Sequence, residues 1–415
     1  MATVTSMGNV HRYVTQLGDQ ELIIETGKFA EQAGGAVTVQ VGQTVVFATT
    51  TMSKSAREGI DFFPLSVDYE EKLYAAGRIP GSYFRREGRP SESAILISRV
   101  VDRPLRPLFP EYMRNEVQII FSALSHDQEN QVDMIGIIAA STALMISDIP
   151  WEGPVAAVRI GLIDGEFVIN PTIPQMEDSI LDLRVAGTGD AINMVECAAV
   201  EIDEETMIRA LMLAHETMQP IIEMQKQIAA EIGKPKSEFI SSKIDESIET
   251  QVAERAREAV RQALIETTDR TERTERLDAV RSELLAAFEA QNATLAEGET
   301  PVEAKAVKQA FEDVIYEEVR RRIVSDGVRP DGRDYTTIRP LAAEVGIIPR
   351  VHGSGLFKRG QTQVMTIATL GTPRDAQSIE TVSPEESRRY MHHYNFPPYS
   401  TGETSPLRGP KRREI

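Results

Sequence analysis

Gly35-Ala36-Val37-Thr38-Val39-Gln40-Val41-Gly42-Gln43-Thr44-Val45-Val46 has a counterpart far down the chain, where Gly353-Ser354-Gly355 leads to Gly360-Gln361-Thr362-Gln363-Val364 at the same spacing. Self-similarity of this kind fixes an architecture before any motif is interpreted. In the first copy, alternating apolar and polar residues run into a Gly-Gln turn and out again, which predicts a β-hairpin. Two looser parallels follow in the same order: Phe63-Pro64-Leu65-Ser66-Val67-Asp68-Tyr69-Glu70 with Phe396-Pro397-Pro398-Tyr399-Ser400-Thr401-Gly402-Glu403, and Phe84-Arg85-Arg86-Glu87 with Lys411-Arg412-Arg413-Glu414. Chance likeness of two hairpins explains one match more easily than three in order. Two copies of one α+β unit are therefore expected, the second cut short at Ile415.

The residues between the two hairpins read as a mixture of strands and helices, with helix taking over toward the second copy. Val117 to Ser122 predicts a further strand and Met134 to Met145, rich in Ala, Gly and Ser, a closely packed helix. Val155 to Ile163, Glu166 to Ile169 and Ser179 to Val185 read as strands. From Asp203 to Gly233 apolar positions recur at helical spacing behind an acidic start suited to a helix N-terminus. Residues 240–323 hold hardly any Gly or Pro outside Gly298 and Pro301, and predict an all-helical module. Turn chemistry at Asp326-Gly327-Val328-Arg329-Pro330-Asp331-Gly332-Arg333 then opens a new β-rich region, with the boundary set near 324.

Composition narrows the function. The 415 residues have room for two or three domains, and 41% hydrophobic with 26% charged residues is ordinary for a globular chain. No window approaches the roughly 18 apolar residues of a membrane span, and the start lacks a basic region followed by an apolar core. One cysteine, Cys197, excludes an internal disulfide, so a reducing cytoplasm and a buried structural thiol are expected. A formal net charge of −18 excludes a protein that coats nucleic acid with its whole surface.

The basic residues are concentrated instead. Between Gly77 and Pro110 stand Arg78, Arg85, Arg86, Arg89, Arg99, Arg103 and Arg106, against Glu87, Glu92 and Asp102. Guanidinium forks bind phosphate oxygens bidentately and stack on bases. Tyr83 and Phe84 beside Arg85 and Arg86 add aromatic faces for unstacked bases, the combination that suits single strands. Tyr83, Phe84, Arg85, Arg86, Arg89 and Arg106 are the candidate RNA contacts. The setting of Arg106 between prolines and apolar residues suits a structural role as well, as does that of Arg103. The bland alternative is a solvated loop with its own Arg-carboxylate pairs. The Gly-Arg-Ile-Pro-Gly start favours a shaped loop over a helix.

Tyr83-Phe84-Arg85-Arg86 resembles the Phe-Phe-Arg-Arg loop of the polynucleotide phosphorylases. The likeness continues through Asp61-Phe62-Phe63-Pro64-Leu65, Ser98-Arg99, Asp102-Arg103-Pro104, His352-Gly353-Ser354, Arg359-Gly360-Gln361-Thr362-Gln363, Thr369-Leu370-Gly371, His393-Tyr394-Asn395-Phe396-Pro397-Pro398-Tyr399 and Lys411-Arg412-Arg413-Glu414. The resemblance implies an α+β chain: an RNase PH-like core, of the ribosomal protein S5 domain 2-like fold, in two parts at 1–150 and 151–236, an all-helical domain at 237–324, and the start of a second RNase PH-like core at 325–415. It implies a polyribonucleotide nucleotidyltransferase of mRNA turnover, processively degrading single-stranded RNA 3′→5′ with inorganic phosphate as co-substrate, Mg2+ or Mn2+ as cofactor, and nucleoside diphosphates as products. A cytoplasmic homotrimer, with RNA-degradosome proteins as further partners, is implied in the same way. KH and S1 RNA-binding domains would lie beyond these residues.

The same resemblance puts the active site in the second core, where only Arg412 and Arg413 match the family's phosphate-binding and catalytic set. No catalytic carboxylate or metal ligand is matched, so this stretch alone is expected to be inactive. In the first core His126-Asp127-Gln128-Glu129-Asn130-Gln131-Val132-Asp133 replaces a phosphate-holding serine run, and Asp182 and Arg184 read as structural remnants of a catalytic segment. His392 and His393 are expected to pack or hydrogen-bond. A non-catalytic ring subunit that guides RNA is the main alternative; a single-core transfer-RNA-trimming phosphorolase is disfavoured by the repeat and the helical insert.

Overall fold

The computed structural model describes residues 10–57, 59–296, 300–384, 387–407, 410 and 414. The chain divides into two compact units, Met1–Ser241 with Pro373–Ile415, and Ser242–Thr372.

The first unit is built on two sheets. β1 (His11–Leu17), β2 (Gln20–Thr26), β3 (Gly35–Val41), β4 (Thr44–Met52), β5 (Leu65–Glu70) and, after helix α1 (Glu92–Leu105), β6 (Val117–Ser125) make a six-stranded sheet in the order β1-β2-β3-β4-β6-β5. Only the β5–β6 pair is parallel. After α2 (Val132–Ile146) come β7 (Ala156–Ile163), β8 (Glu166–Ile169), the short α3 (Ile173–Met176), β9 (Leu181–Gly187) and β10 (Ile192–Ala199), which form a second, antiparallel sheet in the order β10-β9-β7-β8. α4 (Glu204–Ile232) closes this part; Asp203 caps it by accepting from the Thr206 N–H at 2.8 Å.

α2 is buried along nearly all its length because it packs on β3 and β4 of one sheet and β7 of the other. That explains its small residues, and why it shows no polar stripe. Its two interior hydroxyls are both partnered: Thr142 donates to the Ile138 carbonyl one turn back at 2.8 Å, and Ser141 bridges to neighbouring elements. Ser141 donates to Gln225 Oε1 at 2.6 Å and accepts the Val155 N–H at 2.9 Å, while Gln225 donates to the Val155 carbonyl at 2.9 Å. α2, α4 and β7 are joined at that point without an unsatisfied buried polar group.

Several expectations need correction. Cys197 is exposed, because β10 is the edge strand of its sheet. The arginine-rich segment is a loop only as far as Pro90: Ser91 accepts the Ala94 N–H at 3.0 Å and starts α1, which carries Arg99 and Arg103 and runs through Pro104. His392 and His393 are exposed rather than packed, while the Tyr390 hydroxyl at 3.4 Å from His392 Nδ1 gives His392 the hydrogen bond that was expected as the other possibility.

The second unit opens with three helices, α5 (Glu246–Glu266), α6 (Arg270–Asn292) and α7 (Ala304–Asp326), packed on Val252, Val260, Leu264, Phe288, Phe311 and Val314. Glu318 is only 2% exposed and accepts from Arg257, Arg261 and Arg321. α7 runs to Asp326 and stops at Gly327 in the left-handed region, φ 70°. β11 (Leu341–Val345), β12 (Gly353–Arg359) and β13 (Thr362–Ala368) follow as an antiparallel sheet.

That small sheet carries the repeat at atomic register. Gly35↔Thr50 through Val41↔Thr44 in β3–β4 becomes Gly353↔Ala368 through Arg359↔Thr362 in β12–β13. Each hairpin turns on a glycine of positive φ, 57° at Gly42 and 61° at Gly360, the conformation a two-residue hairpin loop demands. The five pairs from Leu22↔Val41 to Thr26↔Val37 are likewise reproduced by Leu341↔Arg359 to Val345↔Gly355.

The looser parallel is re-aligned by the structure. Phe396-Pro397 does not reproduce the entry to β5 at Phe63-Pro64. Instead, a 3₁₀ turn at Leu73–Ala76 ending on Gly77, φ 69°, is matched by one at Pro398–Ser400 followed by Gly402, φ 76°. In both copies the glutamate after the Arg-Arg pair reaches back: Glu87 accepts the Leu73 N–H at 3.0 Å and Glu414 accepts the Phe396 N–H at 2.9 Å. The two-residue strands β14 (Gln377–Ser378) and β15 (Ser387–Arg388) pair within the first unit.

Candidate nucleic-acid interface

Residues 77–90 carry four arginines against one carboxylate, Glu87, and that carboxylate is spoken for. Its own N–H and that of Leu73 hold Glu87 below the usual carboxylate range, with Lys72 and Arg86 adding to the effect against a smaller opposing desolvation. Glu87 therefore stays charged as a backbone cap at the base of the loop, leaving the tip basic.

The tip is a tight turn. Arg85 donates its N–H to the Ser82 carbonyl at 2.9 Å, and the Ser82 hydroxyl donates to the Arg86 carbonyl at 2.8 Å. Arg85 has a φ of 51°, unusual for a residue with a Cβ. The turn throws both rings outward: Tyr83 is 92% and Phe84 84% exposed, and they meet edge to face at 5.3 Å and 83°. Large rings so exposed are costly as surface and useful as stacking platforms, worth about 1–3 kcal/mol per base. Arg85 makes one long contact to the Pro80 carbonyl, at 3.4 Å. Among the described residues, neither the Arg86 nor the Arg89 guanidinium forms an ion pair. Five of the six expected RNA contacts thus share one exposed loop.

Arg106 stands apart. It begins a short 3₁₀ turn after α1, where Asp102 takes its guanidinium at 2.6 and 3.1 Å and the Leu65 and Phe63 carbonyls accept from it at 3.2 and 3.4 Å. Those bonds make it a brace between α1 and β5, the structural half of the sequence reading. Arg412 and Arg413 lie outside the described residues.

Behind the loop, a cavity of about 1200 Å³ is walled by α1, the start of β5 and the α2 N-terminus. Arg99, Arg103, Arg106, Arg184 and Arg388 line it together with Glu71, Glu92, Asp102, Asp133 and Glu196, so its charge is balanced rather than anion-seeking. Asp133 and Arg184 of its lining extend the network inward: buried Arg159 meets Asp133 at 2.7 Å and Asp182 at 3.2 Å, and Arg184 meets Asp182 at 3.0 Å. The Arg159–Asp182 approach is an ion pair without an aligned hydrogen bond, since Arg159 Nε and Asp182 Oδ1 have no hydrogen-bond partner. A divalent cation needs carboxylate oxygens with free lone pairs. Here guanidinium groups already hold Asp133 and Asp182, so these residues do not fit Mg2+ or Mn2+.

The segment after β6 has a local duty too. Asp127 Oδ1 accepts from Thr44 Oγ1, the Glu129 N–H and the Asn130 N–H at 2.8, 2.9 and 2.8 Å, and Oδ2 accepts from the Gln43 N–H and Asn130 Nδ2 at 3.0 and 2.9 Å. Partial burial would raise its pKa, but the Asn130, Glu129 and Thr44 hydrogen bonds outweigh this and hold it well below the usual range. The carboxylate staples the Gly42-Gln43 turn to the segment that follows β6. Burial likewise keeps His126 below its ordinary range, Arg78 helping and Asp127 opposing.

The sequence reading missed the frame of the loop. Arg78, Glu71, Ser91 and Glu380 hold it in place; only Ser91, a serine followed by an acidic residue before an apolar run, carried a local signal, that of a helix N-cap.

The paired-sheet core, its repeated hairpin and the helical unit between the copies define an α+β protein with two related lobes. Residues 19–150 and 337–415 match domain 1 of the 3′ exoribonuclease family, 153–217 match its domain 2, and 247–334 match the RNA-binding domain of polyribonucleotide nucleotidyltransferase. The chain belongs to the 3′ exoribonuclease family. It is similar to the polyribonucleotide nucleotidyltransferases of Herpetosiphon aurantiacus, 50% identical over 98% of this chain and 52% of that one, Thermomicrobium roseum, 51% over 98% and 52%, and Lysinibacillus sphaericus, 49% over 97% and 56%. The chain spans about half the length of these curated relatives. No helix among the described residues is long and apolar enough to cross a membrane.

Proposed function

We propose that this chain belongs to a polyribonucleotide nucleotidyltransferase that shortens single-stranded RNA from its 3′ end with inorganic phosphate, releasing nucleoside diphosphates, and that residues 83–89 are where it grips the strand. The observation that carries this is the loop tip: two outward aromatic rings beside Arg85, Arg86 and Arg89. Arg412 and Arg413 are assigned the attacking phosphate or the terminal phosphodiester, as cations that neutralise charge building on non-bridging oxygens. Three copies arranged as a ring would bring three such loops around one strand. Mg2+ or Mn2+ would belong to the second core, since the first core's carboxylates do not fit it. A cytoplasmic setting and association with other RNA-degrading proteins belong to the same reading.

The alternative of a ring subunit that only guides RNA is favoured by one feature, the first-core cavity, where arginines pair with Glu92, Asp102, Asp133 and Glu196. The discriminating experiment supplies radiolabelled poly(A), phosphate and Mg2+ to the protein that carries this chain at the relatives' length. Nucleoside diphosphates released only in the presence of phosphate are expected. Nucleoside monophosphates would refute phosphorolysis, and no release would favour the guiding subunit.

A further inference from the structure

The arginine loop is not held by its own lobe alone. Residues 380–383, from the second copy of the repeat, lie against its base. Val382 is 4% exposed and joins the apolar core of the first unit, and Thr381 is 6% exposed. Around that anchor the contacts are polar and directed at both ends of the loop. Glu380 Oε1 accepts the Gly81 N–H at 2.5 Å, and Arg78 donates to the Ser383 and Val382 carbonyls at 3.0 and 3.4 Å. Glu71 accepts the Val382 N–H at 3.1 Å and the hydroxyl of Ser91, the N-cap of α1, at 2.7 Å. Arg388 pairs with Glu92 in the first turn of that helix at 3.5 Å. A Cβ at Gly81 would stand 2.8 Å from Glu380 Oε1, so a side chain there would displace the Glu380 carboxylate from its place on the loop.

We infer that residues 380–383 are a clamp by which the second lobe sets the conformation of the first lobe's RNA-contacting loop, with Glu380 as its positioning residue. This rests on the reading of residues 83–89 as the RNA grip. A 14-residue loop with an exposed tip samples many conformations unless its base is fixed, and each lost conformation lowers the cost of ordering it on a ligand. The clamp fixes Gly81, just before the Ser82–Arg86 turn that aims the two rings. RNA affinity in one lobe is thereby coupled to the seating of a segment from the other, and any event that lifts Val382 from its core would loosen the grip.

The test compares Glu380→Ala, Glu380→Gln and Gly81→Ala with the parent chain, using fluorescence anisotropy on a single-stranded oligo(A) and hydrogen exchange at the Gly81 amide. Glu380→Gln keeps an acceptor for the Gly81 N–H and is expected to bind within about twofold of the parent. Glu380→Ala and Gly81→Ala are expected to bind roughly tenfold more weakly, one charge-assisted hydrogen bond and its ordering effect. In Glu380→Ala, the Gly81 amide is expected to lose protection. Arg85→Ala with Arg86→Ala separates the two ideas. If that double variant weakens binding while Glu380→Ala does not, the clamp is overturned and the grip stands; if the double variant binds as the parent does, both fall. Equal loss in Glu380→Ala and Glu380→Gln would also overturn the clamp, since the acceptor would then not be what matters.

Discussion

Replacing Asp127 with alanine should destabilise the first unit by about 3 kcal/mol. The carboxylate accepts five hydrogen bonds, but they do not contribute equally. The Gln43 and Glu129 amides lie where water can replace the lost acceptor, and Thr44 Oγ1 keeps a second, longer contact to the Asn130 carbonyl at 3.5 Å. Asn130 is only 2% exposed, so its N–H and Nδ2 would be left without partners away from water. Two such donors cost about 1–2 kcal/mol each, and the solvated ones add little. Asp127→Asn should cost about 2 kcal/mol, because an amide NH2 in place of Oδ2 would face two donors, Gln43 N and Asn130 Nδ2. The pH dependence has a definite sign. The folded pKa lies below the unfolded one, so the stabilisation is fully present above about pH 4 and is lost as pH falls toward the folded value. Urea unfolding of parent and variants from pH 7 to pH 3 should show the gap to Asp127→Ala narrowing only below about pH 4. A gap under 0.5 kcal/mol at pH 7, or one that widens in acid, would refute the staple.

Asp133→Ala should cost the first unit about 3–5 kcal/mol, since it strands the 2%-exposed Arg159 beside a single poorly aligned partner; a loss within 1 kcal/mol would mean water reaches that network. Glu318, whose pKa the Arg261, Arg321 and Arg257 hydrogen bonds lower to about 2 against an opposing desolvation, should stabilise the helical unit above about pH 4.5 and lose that contribution as pH falls toward 2. Its arginine partners are 35 to 38% exposed, so screening reduces the effect of Glu318→Ala to about 2 kcal/mol, read from the urea midpoint of the helices; an acid-independent midpoint would contradict it.

How much of this was legible in the sequence follows from where the physics is local. The hairpin at β3–β4 and its copy at β12–β13 were visible because alternation and a Gly-Gln turn act within a dozen residues. The same holds for α4, whose acidic cap and apolar spacing are both in sequence view. β1 and β2 were passed over because apolar residues fall on both of their faces, Val14 and Ile23 outward and Leu17, Leu22 and Ile24 inward, which blurs the alternation. α1 was hidden by its arginines and by Pro104, which the helix tolerates in its last turn. The basic-aromatic tip of the loop was readable from residue types, since adjacent rings and guanidinium groups need no tertiary partner to define their chemistry. What fixes that tip was not: Glu380 lies 299 residues from Gly81, and a contact at that separation leaves no local mark. Nor could residue types show that Arg106 spends its fork on Asp102 and two carbonyls.

Photocrosslinking tests the central claim most directly: a 4-thiouridine-substituted single-stranded RNA is bound to the protein, irradiated, and the adducts are mapped by peptide mass spectrometry. Adducts concentrated on Tyr83 and Phe84, and suppressed by Arg85→Ala with Arg86→Ala, are the predicted result. Adducts confined to the helices between Glu246 and Asp326, unchanged in that double variant, would contradict the assignment of the loop as the place where RNA is held.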